Sequence, residues 1–217
     1  MNPALIELII LAGIAVFLFL RLRSVLGTRE GFEKPRMQPK NDATKRDFKV
    51  IDGGEDKDIT DNVEKNSKSA KALKNIKEKD ETFTVNEFLS GARSAYEWIL
   101  MSFEKNEIDD IRELLSEEVA EAFDSVVEQR ISQGLTIEAE FIGVREMKLV
   151  DASYNSKTKT AEIAVSFIGE MTSVVKNSSG EIVEGDSKQI KRQKDTWTFS
   201  KDILSDNPNW ILVATGE

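Results

Sequence analysis

The chain has 217 residues, 40% of them hydrophobic, which suffices for one globular domain with further segments. It has no cysteine and no histidine, which excludes disulfides, zinc–thiolate sites, thiol nucleophiles and Ser–His chemistry; an enzyme here would run on Asp, Glu, Lys or Tyr. The net charge of −9 is uneven: residues 83–217 hold 14 basic and 25 acidic side chains, a surplus that repels phosphate and argues against nucleic-acid binding.

Ala4–Leu20 is an apolar run of 17 residues broken only by Glu7. As a helix it spans about 25 Å, slightly short of a bilayer core of about 30 Å. Leu22, Val25 and Leu26 extend it, with Arg21 and Arg23 snorkelling. A cleaved signal peptide is the rival. No basic residue precedes the run, however, and Arg-Leu-Arg follows it where a small-residue cleavage site would stand. Residues 1–27 are therefore expected to form an uncleaved membrane anchor, with Ala4, Leu8, Leu11, Phe17 and Leu20 in the span. The positive charge that follows it places the C-terminal bulk on the cytoplasmic side.

Residues 28–82 mix charges, carry Pro35, Pro39 and Gly53-Gly54, and hold few large apolar residues without period. They read as a disordered linker that cannot bury enough surface to offset its ordering entropy. Within it, Lys65, Lys68, Lys71, Lys74 and Lys77 recur every third residue up to Lys79. A helix there could touch anionic lipid, but a period of three drifts about 60° per step and spirals around the helix. The choice between a lipid or partner contact and a solvated linker stays open.

Residues 83–217 read as the folded domain. Thr84-Val85-Asn86-Glu87 is a capping box, and Phe88, Leu89, Ala92, Tyr96, Ile99, Leu100 and Phe103 follow at helical spacing, predicting a helix over 85–104. Ile108, Ile111, Leu114 and Leu115 predict a short second helix. Ser116 caps a third, with Val119, Phe123, Val126, Val127 and Ile131 inward and Gly134 as its stop. The period then changes to two at Leu135, Ile137, Ala139 and Phe141, and again at Ala161, Ile163, Val165 and Phe167. Asn155-Ser156-Lys157 and Asn177-Ser178-Ser179-Gly180 read as turns; 190–199 and 210–214 are the remaining strands. Three helices followed by antiparallel strands predict an α+β domain with helices on one face of a curved sheet.

Near the end, Trp197 and Phe199 share one strand face, Asp206-Asn207-Pro208-Asn209 is a turn, and Trp210 and Leu212 share a face of the returning strand. Both tryptophans are thus expected on one core, or lining a ligand cavity together with Tyr96, Phe141, Phe167 and Phe199. On the first helix of the domain, Trp98 and Met101 fall on the face opposite the apolar stripe, with Gly91 and Ser94; that face is a candidate partner surface.

Trp197-Thr198-Phe199, then Asp206-Asn207-Pro208-Asn209-Trp210-Ile211-Leu212, resemble the closing signature of the Tim-forty-four-like (Tim44-like) domain family. Phe88-Leu89, Gly91-Ala92, Ala95-Tyr96-Glu97, Leu114-Leu115-Ser116, Glu118-Val119 and Phe123 match its start, in order. The resemblance covers about 83–215. It implies a nuclear-transport-factor-two-like fold enclosing an apolar pocket. It also implies a non-enzymatic adaptor at the inner membrane that binds protein partners such as a chaperone or translocase component. An anchor, a linker and this domain look like the bacterial, TimA-type members, with a mitochondrial inner membrane as the alternative location. Residues 1–82 do not resemble the chaperone-contacting region of the mitochondrial adaptor, so chaperone recruitment is not carried over.

No catalytic residue, metal site or cofactor is expected, since there is no P-loop, dinucleotide fingerprint or calcium loop. Glu138 and Glu140 alternate out of phase with the apolar face and are expected in solvent. The competing readings are a lipid- or small-molecule-binding pocket and, less favoured, an isomerase-type enzyme with an acid beside Tyr96 or Tyr154.

Overall fold

The computed structural model describes residues 56–216. The expected anchor and the linker up to residue 55 lie outside the described residues, among which no helix is long and apolar enough to cross a membrane.

Among the described residues, four α-helices precede a four-stranded sheet: α1 (Lys57–Thr60), α2 (Lys68–Lys79), α3 (Val85–Glu104) and, after a 3-10 segment at Ile108–Leu114, α4 (Glu117–Ser132). The strands are β1 (Thr136–Asn155), β2 (Thr160–Lys176), β3 (Ile182–Asp202) and β4 (Ile211–Gly216), antiparallel throughout and ordered as in the chain. The fold is α+β, as expected.

Helix α3 forms where its capping box predicts. The Thr84 hydroxyl accepts from the Glu87 N–H at 3.1 Å, and Asp58 of α1 accepts from the Val85 and Asn86 N–H groups at 2.7 and 3.0 Å. A carboxylate thus sits at the positive end of the helix. The stripe Phe88, Leu89, Ala92, Tyr96, Ile99, Leu100 is buried. Helix α4 starts at the Ser116 cap and stops before Gly134, whose φ of +65° suits glycine. Its inward stripe is narrower than the sequence predicts. Val119, Ala120 and Val127 are buried, whereas Val126 is exposed and Ile131 is 63% exposed. Arg130 takes the inward place in the last turn: its guanidinium lies 4.3 Å over the Phe103 ring, donates to the Phe103 carbonyl at 2.9 Å and pairs with Glu104 at 3.6 Å.

The strands run longer than their period-two stretches suggest. The β1–β2 register skips Ile142, Arg145 and Val150, one extra residue at each of three bulges. Each bulge resets the alternation, hides the strand from a period-two reading and bends the sheet. Two asparagines shape the hairpin turns: Asn155 Oδ1 accepts from Lys157 N–H at 3.0 Å, and Asn177 Oδ1 accepts from Ser179 and Glu181 N–H groups at 3.0 Å. The inner face buries Ile163, Val165 and Phe167 of β2, Trp197 and Phe199 of β3, and Leu212 of β4. Glu138 and Glu140 lie on the exposed phase of β1.

The expected linker differs from the structure over 56–82. Helix α2 is capped by Ser67 and buries Ala72, Leu73 and Ile76 against β1. Its Ser69 hydroxyl donates to Asp151 at 2.7 Å and accepts from the Ala152 N–H at 3.2 Å, satisfying a donor at the sheet edge. Lys77 turns back to Asp56 and Asp58 at 2.7 and 2.8 Å. Lys68, Lys71, Lys74 and Lys79 stay exposed. Two helices, α1 and α2, thus lie before the domain boundary at residue 83 that composition suggests.

Candidate functional site

A groove of about 490 Å³ opens between the N-terminal half of α3 and the turn before β4. One stripe of α3 forms its wall: Thr84, Glu87, Phe88, Gly91, Ala92, Ser94, Ala95 and Trp98. Asp80, Thr82 and Phe83 line it from the segment before α3, and Pro208, Asn209 and Trp210 line it from the turn before β4. Phe88 and Trp210 meet edge-on at 4.7 Å, and Phe83 lies 5.8 Å from Trp210, so the floor is aromatic. At the mouth, Trp98 is 53% exposed. Gly91 leaves the wall open, for a Cβ placed there would meet no atom within 4 Å.

Asp80 and Lys201 pair in the lining at 3.3 Å, and both are mostly buried. Burial pushes the Asp80 carboxyl up, but hydrogen bonds from Thr82 and Lys201 outweigh it and hold the group below the usual carboxylate range. The Lys201 charge is therefore spent inside the protein, and Glu87 is the other charged side chain of the lining.

The sequence-predicted residues divide between this groove and the core. Trp98, Gly91 and Ser94 come together in the wall, while Met101 is half-buried and outside the lining. Trp210 is half-buried in the floor. Tyr96, Phe167 and Trp197 are core side chains, Phe199 is buried in the core and also lines the groove, and Phe141, partly buried, packs 6.1 Å from Tyr96. Rings in edge-on and tilted contact join the two groups, from Trp210 through Phe88, Phe199 and Trp197 to Tyr96.

Below the groove Tyr96 stacks on Phe167 at 4.4 Å, and its hydroxyl donates to Asp195 at 2.5 Å. Burial and the adjacent Asp195 carboxylate both push the Tyr96 hydroxyl far above its ordinary pKa. Asp195 also accepts from Gln193 at 3.0 Å. It is absent from the expected residues, although its period-two phase with Trp197 and Phe199 marks it as inward. Neither member of this pair lines the groove. Tyr154 is partly buried, and its hydroxyl has no hydrogen-bond partner among the described residues. No cluster of three or more acidic side chains among the described residues is placed to hold a metal ion.

The architecture is thus an α+β domain with an open aromatic groove beside a sealed core. The family model for the Tim44-like domain matches residues 69–217, and the chain belongs to that family. The match begins within α2, in keeping with the ordered helix there. No curated protein matches the chain. Among solved structures, the intermembrane space region of the chloroplast protein ARC6 is similar, with a TM-score of 0.40 and 8% identity over 59% of this chain and 94% of that one.

Proposed function

We propose that the protein is a membrane-tethered, non-enzymatic adaptor that captures an apolar segment of a partner protein in the groove beside α3. The observation that carries this reading is Trp98, half-exposed beside an aromatic groove whose lining includes the core residues Phe83, Phe88 and Phe199. Exposed tryptophan over a ready-made apolar cleft is the usual anatomy of an interface anchor. Family membership agrees with it, since the Tim44-like resemblance implies an adaptor. In this reading residues 1–27 anchor the chain in a bacterial inner membrane with the domain cytoplasmic, or in a mitochondrial inner membrane with it facing the matrix. Residues 28–55 form the tether, and the domain takes a nuclear-transport-factor-two-like form. Tethering raises effective concentration without demanding high intrinsic affinity. The exposed Lys68, Lys71 and Lys74 of α2 would hold the domain near anionic headgroups.

The geometry favours binding over catalysis. An isomerase-type site would need an acid with a raised pKa facing the cavity. Asp80, the buried acid at the groove, is shifted the other way, and the Tyr96–Asp195 pair lies under the floor.

The test is crosslinking and capture from solubilised membranes with the full chain, alongside Trp98→Ala and Gly91→Leu, the latter placing bulk in the groove from a position whose Cβ meets no atom. Loss of the same protein from both variants supports the adaptor, and a chaperone or translocase subunit among those lost would extend it to import. Loss of a copurifying lipid or small molecule instead, with no variant-sensitive protein, would transfer the groove to a ligand-binding role.

A further inference from the structure

Strand β3 is paired on both sides only near its end. Its inner edge follows β2, but β4 covers only Thr196–Ser200 of the outer edge. Among the described residues no strand pairs with the outer edge of 182–194, and every residue there is exposed, including Ile182, Val183 and Ile190. The stretch has no proline. An exposed edge of this length is a template for another strand.

Lysines on such an edge discourage indiscriminate pairing, but these charges are sorted. Glu181, Glu184 and Asp186 occupy the first half, and Lys188, Lys191, Arg192 and Lys194 the second. A parallel partner with the same sequence would set like charge against like. An antiparallel one, turned about a two-fold axis near Ser187 and Lys188, sets Glu181 and Glu184 of one copy against Lys194 and Lys191 of the other. We propose that this edge pairs antiparallel with the same edge of a second copy, making the protein a two-fold dimer through β3.

Arg192 is paired within the chain, with Glu170 at 2.9 Å, but Glu184, Lys191 and Lys194 stay exposed. Lys191 approaches Glu184 only to 3.9 Å, with both side chains about half exposed. The backbone also marks the axis. Ser173 pairs with Asp186 and Met171 with Lys191, so 187–190 bulge out of the β2 ladder between the two charged halves. Gly185 just before it takes φ +84°, and a Cβ there would meet the Ser173 carbonyl oxygen at 2.1 Å. The bulge is therefore built into the backbone, and it bends the edge at the point where two copies would cross.

Two variants test the charge pattern in the full chain, in mild detergent. Glu184→Lys with Asp186→Lys makes the edge mainly basic, and Lys188→Glu with Lys191→Glu makes it mainly acidic. Each is expected to self-associate about a hundredfold more weakly than the parent in sedimentation equilibrium, since several cross-strand pairs turn repulsive. Mixing the two restores the dimer, which misfolding of either variant would not do. The absence of native cysteine allows a geometric check. Ser187→Cys is expected to crosslink to itself under mild oxidation, whereas Ile182→Cys does not but links to a Gln193→Cys chain. A parent that stays monomeric overturns the proposal. So does a dimer that both charge variants retain, since that would be held by another surface.

Discussion

The Tyr96 ring fills the space between Phe167 and Trp197, and its hydroxyl lies against Gly169, where a Cβ would come within 2.7 Å of that oxygen. The tyrosine cannot yield easily, because Asp195 holds its hydroxyl and Phe167 its face. Gly169→Ala is therefore expected to destabilise the fold by about 1–3 kcal/mol, as overpacking does. Gly91→Ala makes the opposite case on α3. Its Cβ enters open groove, so the helix gains about 0.5–1 kcal/mol from lost chain freedom in the unfolded state. Urea denaturation of the two variants should move the midpoint in opposite directions. A shared sign would mean that the groove, or the Tyr96 seat, rearranges. The tryptophans separate in the same way. Trp197, 4% exposed, is expected to cost about 3–5 kcal/mol on truncation to alanine. Trp98→Ala is expected to shift stability by less than about 1 kcal/mol while weakening partner capture. A large stability loss at Trp98 would make it a packing residue and remove the basis for the groove.

Among the elements, α3 was legible in the sequence because its cap and its stripe agree, and a long amphipathic repeat leaves few alternatives. Helix α2 was not, since lysine at every third residue masks a stripe of only Ala72, Leu73 and Ile76 that a sheet edge completes. The strands were legible between bulges and lost at them. What ties the helices together is also invisible locally, because Asp58 reaches Val85 and Asn86 across 27 and 28 residues. That carboxyl has a titration consequence. Burial raises its pKa, but hydrogen bonds from Lys77 and the two N–H groups outweigh it, and the folded value lies below the ordinary one. With a depressed pKa, its contribution is present above the unfolded value of about 3.9 and is lost as pH falls through the folded value. Asp58→Asn should therefore lower stability at neutral pH and flatten the decline below about pH 4, leaving the part due to Asp80, which is shifted the same way. An unchanged slope in acid denaturation would mean that Asp58 titrates alike in both states.

For the whole molecule, the family was legible because its motifs lie in α3 and the β3–β4 hairpin, both well patterned. The groove was only half legible: Trp98 and Gly91 stand out on a helical wheel, but the facing wall comes from 80–84 and 208–210, distant in sequence. The first of those pieces sits in what composition alone assigns to a linker, and this bears on where the domain can be cut. A fragment beginning at residue 83 keeps every element the sequence predicts. It loses Leu73 and Ile76, both fully buried, the Asp58 cap on α3, the Ser69 bonds to the β1 edge and the Asp80 partner of Lys201. Two buried aliphatic side chains contribute about 1.5–3 kcal/mol each, and a lost cap costs about 1 kcal/mol. Together this is about 4–7 kcal/mol, comparable to the lower end of an ordinary domain's stability, about 5–15 kcal/mol. The 83–217 fragment is thus expected to lose cooperative thermal unfolding and to exchange the amides of β1 quickly around Ala152, whereas one beginning at residue 55 unfolds as a unit. If the shorter fragment melts cooperatively within a few degrees of the longer, α1 and α2 are accessories to the core, and the groove does not depend on them.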